Sequence, residues 1–216
     1  MIKTKQIKTL IKSLDQKDRM ERKIKFLLDL RGYFNVNKIK GDYVEFGVFE
    51  GEMIYAANII YKDNINFNKY IGLDTFSGTP QKKGILDLEN KFIEDGDYSC
   101  SFKKVKDNLK SITNLTLIKG DFREAKIKKK FMNLKTNISM LVVDCNLISS
   151  VKSCLSISLK RMLSGSVIYM DDMYISQSSS FIMKQILYDY AKNNNIKLEP
   201  YQFYPPFGRA FFIFRK

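Results

Sequence analysis

The chain contains no histidine and no tryptophan, only four prolines and only three cysteines. Without histidine, no imidazole is available as a base. Scarce proline beside 44% hydrophobic residues excludes a disordered chain. No stretch reaches the 18 or more consecutive apolar residues of a membrane span. The opening Met1-Ile-Lys-Thr-Lys has neither an apolar core nor a small-residue cleavage site, so no secretory signal is expected. Cys100, Cys145 and Cys154 are odd in number and lack metal-ligand spacing; they read as reduced thiols of a cytoplasmic protein. The remaining 216-residue composition suits one full-sized core.

Charge is what the chain has in excess. Of the formal +14, residues 1–40 hold 12 Lys/Arg against 4 Asp/Glu. A basic front of this kind can meet nucleic acid, an anionic surface or a phosphorylated substrate. Lysine is also abundant along the whole chain, so the charge equally reads as a solvated surface, and nucleic acid is not the expected partner.

Apolar positions Ile7, Leu10, Ile11, Leu14 and then Ile24, Leu27, Leu28 recur at helical spacing. They predict two N-terminal helices, broken near Ser13 to Asp18 and stopped at Gly32, forming an extension over 1–40. From 41 to 216 one domain is expected in which strands and helices alternate. Strands are expected over Asp42–Phe46, Lys69–Asp74, Leu115–Gly120, Ile138–Asp144 and Ser166–Asp172. Helices are expected over 52–61, 101–110, 149–163 and 178–193, with a basic segment at 123–135. Ile196–Tyr201 and Arg209–Phe214 flank Pro205-Pro206-Phe-Gly208 and predict a terminal antiparallel hairpin. Residues 81–101 are charged, irregular and longer than an ordinary connection, which suits a lid insertion. The pattern predicts an α/β fold with a mostly parallel sheet covered on both faces.

In Asp42-Tyr-Val-Glu-Phe-Gly-Val-Phe-Glu-Gly51 a strand runs into a two-glycine turn and then a helix. Such turns let backbone N–H groups approach a ligand at a helix N-terminus. Acids then fall at strand ends: Asp74, Asp121, Asp144 and the pair Asp171-Asp172. Asp74, after the neighbouring strand, can accept the hydroxyl hydrogens of a ribose. Asp121-Phe122 can place a carboxylate and a ring beside an adenine. Asp144, Asp171 and Asp172 would repel one another unless a cation or proton lies between them, and all-oxygen donors select Mg²⁺ or a similar ion; solvated turn acids are the plain alternative. Tyr98, Tyr174, Tyr201 and Phe203 are candidates to line the cavity, or else core.

Tyr43-Val-Glu-Phe-Gly-Val-Phe-Glu-Gly51, Gly72-Leu-Asp-Thr-Phe-Ser-Gly-Thr-Pro80, Lys119-Gly-Asp-Phe122 and Ile168-Tyr-Met-Asp-Asp172 resemble, in order and spacing, the motifs of the macrocin O-methyltransferase (TylF) family. These are class I enzymes that use S-adenosylmethionine to methylate sugar hydroxyls. The resemblance implies a Rossmann-like sheet of seven strands. It implies a cofactor site drawn from Glu45, Gly47, Gly51, Asp74, Thr75, Phe76, Asp121, Phe122 and Asp144, with Glu45 below the turn bonding loop N–H groups or the cofactor's ammonium. It places Mg²⁺ on Asp144, Asp171 and Asp172. One departure stands out: the family's Asp-x-Asp-Leu-Tyr reads Asp144-Cys-Asn146-Leu-Ile here, so Asn146 can orient a hydroxyl but cannot be a base.

The reading that follows is a Mg²⁺-assisted O-methyltransferase. Asp144 and Asn146 would be its catalytic pair, and the lid would close over a sugar or nucleotide-linked, surface-polysaccharide type of acceptor; a homo-oligomer is compatible with it. An RNA or DNA methyltransferase is the rival, but the chain has neither an Asn/Asp-Pro-Pro-Tyr/Phe sequence nor a Pro-Cys nucleophile. A cofactor-binding relative without turnover is the other alternative, suggested by Asn146.

Overall fold

The computed structural model describes residues 4–62, 67–175 and 181–215, without the side chains of residues 4–6, 8 and 10–16. Among the described residues seven strands are present: β1 (Asp42–Phe46), β2 (Tyr70–Asp74), β3 (Leu115–Lys119), β4 (Ile138–Val143), β5 (Met162–Met170), β6 (Ile196–Tyr204) and β7 (Gly208–Arg215). They form one sheet in the order β3-β2-β1-β4-β5-β7-β6. The first five are parallel, and β7 runs antiparallel to both β5 and β6. This is the expected α/β class I methyltransferase fold with its terminal antiparallel pair.

Alternation along β1 sends Val44 and Phe46 to one face and Tyr43 and Glu45 to the other. The first face packs under α5 (Ala125–Asn133), α6 (Ile148–Ser158) and α7 (Ile182–Asn193), which contribute Phe131, Leu155 and Leu187 to the core. The second is covered by α1 (Thr4–Asn37), α2 (Glu52–Tyr61) and α4 (Phe102–Asn108), through Phe26, Ile54 and Val105. Both faces are therefore dry, which is why the inner strands read as near-continuous apolar runs. Among the described residues no helix is long and apolar enough to cross a membrane.

The N-terminal segment differs from expectation. It is one continuous helix of 34 residues rather than two. Ser13 to Asp18 contains polar residues but no glycine or proline, and a solvated helix face tolerates these; Lys17 and Glu21, one turn apart, lie 3.4 Å from each other. Nor does Gly32 end the helix. Phe34 still packs into the core beyond it, and α1 runs on to Asn37. A Cβ built on Gly32 meets nothing within 4 Å. Gly32→Ala is accordingly expected to stabilise the protein by about 0.5–1 kcal/mol through helix propensity. The check is a higher urea midpoint at unchanged m-value.

A second difference lies between α6 and β5. The helix expected to reach Leu163 ends at Ser158, and a short 3₁₀ turn (Leu159–Arg161) feeds β5 from Met162. Met162 pairs with Ile138 on β4, while the Arg215 side chain bonds the carbonyls of Leu159, Lys160 and Met162. Those partners are remote in sequence, so tertiary pairing overrides local helix preference. The last helix begins at Ile182; its expected start at Ser178 lies outside the described residues.

The long connection after β2 holds a short helix, α3 (Ile85–Leu88), and turns. Asp87 pins it. This buried carboxylate accepts from the Lys83 and Ser149 backbone N–H groups at 2.9 and 3.0 Å, joining the connection to the start of α6.

Candidate active site

Strand order reverses between β1 and β4, and in open parallel sheets the crevice at the carboxyl ends there is where ligands bind. A cavity of about 890 Å³ opens at that point, near the upper end of the roughly 300–1,000 Å³ range of small-molecule sites. Of the residues expected to form the site, Gly47, Asp74, Thr75, Asp121, Phe122, Asp144, Asn146, Asp171 and Asp172 all border it. Glu45, Gly51 and Phe76 do not. Tyr98 borders it as well, whereas Tyr174 packs against Phe181 and Phe203, and Tyr201 against Phe212.

The glycine turn is held by Asp74. One of its oxygens accepts from the N–H groups of Val48 and Phe49 at 2.7 and 3.0 Å, and the other from Phe76 N at 2.7 Å. The acid at the end of β2 thus builds the turn as well as facing the cavity. The Thr75 hydroxyl also lies 3.4 Å from that second oxygen but gives its hydrogen to the Gly78 carbonyl at 2.6 Å, so of about four acceptor sites on a carboxylate one remains for a hydroxyl. Gly47 earns its place differently from expectation. Its φ is +89°, and a Cβ there would fall 1.8 Å from the backbone oxygen of Asp144, so it is the crossing of β1 and β4 that demands glycine. Gly51, also at positive φ, caps the start of α2 and packs against Leu109.

Glu45 is buried in the sheet two residues before Gly47, and it accepts a hydrogen bond from Tyr43 on the same strand face. Burial pushes its carboxyl up to about 8 against the opposing effect of that bond. Asp121 is engaged by Arg123 through paired contacts of 2.7–3.0 Å. Burial alone would raise it, but the guanidinium holds it below the usual carboxylate range. Phe122 packs edge-on against Phe46 with ring centroids 5.2 Å apart, still bordering the cavity.

At the ends of β4 and β5 the three acids do converge, but not alone. Lys23, from α1, places its ammonium on Asp144 and 3.5 Å from Asp171; Arg22 lies 3.4 Å from the same Asp171 oxygen. The Tyr169 hydroxyl donates to the other Asp171 oxygen. Burial by itself would lower Lys23, yet Asp144 and Asp171 together raise it above its ordinary value. Burial raises Asp144 to about 6, opposed by Lys23. Asp171 is pulled below its ordinary value because Lys23 and Arg22 outweigh its burial. Asp172, partly buried and beside two other carboxylates, is raised to about 8 chiefly by desolvation, and its Oδ2 is enclosed without a hydrogen-bond partner.

Sequence reasoning missed Arg22 and Lys23. A signal was available: Lys23 precedes Leu27, Leu30 and Phe34 at helical spacing, a charged residue on the buried stripe of α1. It also missed Arg123 and the lid residue Asn90, whose amide donates to the Asn146 carbonyl at 3.1 Å.

The residues suit S-adenosylmethionine: the turn of Gly47, Asp74 with spare acceptor capacity and the ring of Phe122 share one cavity. They do not suit Mg²⁺ as arranged. The ammonium of Lys23 lies where the ion would bridge Asp144 and Asp171, and among the described residues no three His, Cys, Asp or Glu side chains are grouped to hold a metal.

Comparison with known proteins comes to the same place. The family model described as macrocin-O-methyltransferase (TylF) matches residues 17–201. No curated protein matches the sequence significantly. Among solved structures, the O-methyltransferase NovP superposes with a TM-score of 0.70 at 18% identity, covering 92% of this chain and 80% of its own. The calicheamicin methyltransferase CalS11 gives 0.64 at 18%, covering 97% and 80%. MycE of the mycinamycin biosynthetic pathway, solved with Mg and S-adenosylhomocysteine, gives 0.53 at 12%, covering 86% and 47%. At these identities the structures establish a shared fold.

Proposed function

We propose, for a chain that belongs to the macrocin-O-methyltransferase family and is an S-adenosylmethionine-dependent O-methyltransferase, that the methyl acceptor is a hydroxyl of a sugar-type small molecule. The observation that carries this reading is one cavity bordered by the Gly47 turn and Asp74 and also by Asp144 and Asn146. NovP is named as an O-methyltransferase and CalS11, in its unliganded form, as a TDP-rhamnose 3'-O-methyltransferase. The first name supports O-methylation, and the second supports a sugar acceptor and a nucleotide-linked one.

S-adenosylmethionine, when bound, supplies a methyl group on sulfonium open to in-line displacement. The chain's part is to position the oxygen that attacks and to take its proton. Asp144 accepts that proton: raised to about 6, it is ionised at pH 7 yet close enough to hold a proton in transit. Asn146 orients the hydroxyl; its backbone carbonyl ties it to the lid through Asn90. The lid, pinned at Asp87, keeps water from the acceptor. No step is assigned to Mg²⁺. The N-terminal helix, expected as a separate extension, belongs functionally to the site because Arg22 and Lys23 reach the acids.

Nucleic acid stands outside the reading because the cations that reach the cavity are used within the protein: Arg19 on Glu52, Arg22 on Asp171 and Lys23 on Asp144. A cytoplasmic location is part of the proposal, supported by three free thiols.

The test has two stages. S-adenosylhomocysteine at about 100 times its Kd should stabilise the protein by about 2.7 kcal/mol, a rise in Tm of about 5–10 °C for a domain of this size. Methyl transfer is then scored by mass spectrometry on nucleotide-linked sugars, free glycosides and tRNA. No thermal shift, or methylation of tRNA alone, would overturn the reading.

A further inference from the structure

We propose that Lys23 is the resident cation of this site, its ammonium filling the position between Asp144 and Asp171 so that the chain needs no divalent ion there. The inference deepens the acceptor-site reading above and rests on it only for what the site is used for.

The geometry is specific. The Lys23 side chain is 6% exposed, hydrogen-bonded to Asp144 and 3.5 Å from Asp171 Oδ2. Its backbone is fixed, because Phe26, Leu27, Leu30 and Phe34 on the following turns are buried at 0–1% exposure. Asp144 and Asp171 therefore face two cations, Lys23 and Arg22, which balance their charge. Entry of a dication would have to displace the ammonium from its two carboxylates, and a buried charge deprived of its partner is strongly unfavourable. Mg²⁺ would also demand near-octahedral oxygen ligands at about 2.0–2.1 Å, whereas both Asp171 oxygens and one of Asp144 already serve Lys23, Arg22 and Tyr169. Lys23 thus does what the ion would do electrostatically. It holds Asp144 and Asp171 ionised and close together beside the acceptor hydroxyl. It is a positioning residue, acting on the reaction through Asp144.

The measurement is Mn²⁺ binding by electron paramagnetic resonance, on the full chain with Mn²⁺ as a probe for hard divalent ions. Wild type and Lys23→Arg are expected to leave the free-ion signal undiminished at equimolar ion and protein. Lys23→Ala, which empties the position and returns the negative charge, is expected to take up one Mn²⁺ per chain, with loss of that signal. Lys23→Gln serves in its place should the alanine variant fail to fold. The proposal is overturned if the wild type binds Mn²⁺ and loses it in Asp171→Asn, or if a folded neutral variant at position 23 gains no binding. The thermal shift of the wild type with S-adenosylhomocysteine reports on the cofactor site without any change at position 23, so failure of one idea leaves the other distinguishable.

Discussion

Gly47→Ala is expected to destabilise the protein by about 3 kcal/mol or more, from overpacking together with a left-handed backbone that disfavours a side chain. The new Cβ would lie 1.8 Å from the Asp144 carbonyl oxygen and 2.8 Å from its carbon, at a φ of +89°. No rotamer change can relieve this, since the clash is between two backbones. The end of β1 is locked on both sides, to β2 by the Gly47 N–H on Leu73 O and to β4 by the Asp144 N–H on Phe46 O, each at 2.9 Å. Relief requires moving the strand ends apart, and Asp144 moves with them. The variant should therefore also lose its thermal response to S-adenosylhomocysteine. Urea unfolding and the thermal shift check both parts; an alanine variant that melts like the wild type and still responds would show that the strand crossing is softer than its geometry.

Glu45→Gln is expected to stabilise the protein increasingly as pH rises. Glu45 is buried, and its carboxyl is raised from an ordinary 4.5 to about 8, chiefly by desolvation. Between those values the folded chain holds a proton that the unfolded chain has released, so stability falls as pH rises through the window. Below about 4.5 the contribution is fully present, and above about 8 it is lost. The swing is on the order of 4–5 kcal/mol as an upper figure, at about 1.4 kcal/mol per unit. Glutamine keeps a neutral group against Tyr43 at every pH and removes the dependence. Urea midpoints for the two proteins should nearly coincide at pH 5 and separate by pH 9, with the wild type the weaker. Parallel profiles would mean that Glu45 is solvated or already ionised in the folded state. Asp144 and Asp172, also raised by burial, contribute a slope of the same sign to both proteins and cancel in the comparison.

How far the chain could be read without its fold differs from residue to residue. The strand of Asp42–Phe46, its glycine turn and the acids closing β2, β4 and β5 are local features. Alternation, turn chemistry and spacing express them within a few residues, and the parallel sheet follows from burying both of its faces. The motifs also carry family membership. The break expected near Ser13 to Asp18 failed because polar residues weaken a helix without ending it, so only the packing of α1 sets its length. The helix expected to reach Leu163 failed because β4 and Arg215 claim that segment for the sheet.

Within the site the sequence named the acids but not their partners. That Asp144, Asp171 and Asp172 share one edge follows from strand order. What neutralises them comes from Arg22 and Lys23, more than a hundred residues earlier, and reaches them only because α1 packs its apolar stripe across the sheet. The same holds for Asp121, which meets Arg123, and for Asp74, which spends hydrogen bonds on the turn it was expected simply to accompany. By itself the sequence determined the fold class, the family and which carboxylates lie at the crevice, since each depends on local pattern and order along the chain. Only the tertiary structure decided the charge state of that crevice, because electrostatic partners are chosen by distance in space, and burial multiplies whatever they contribute.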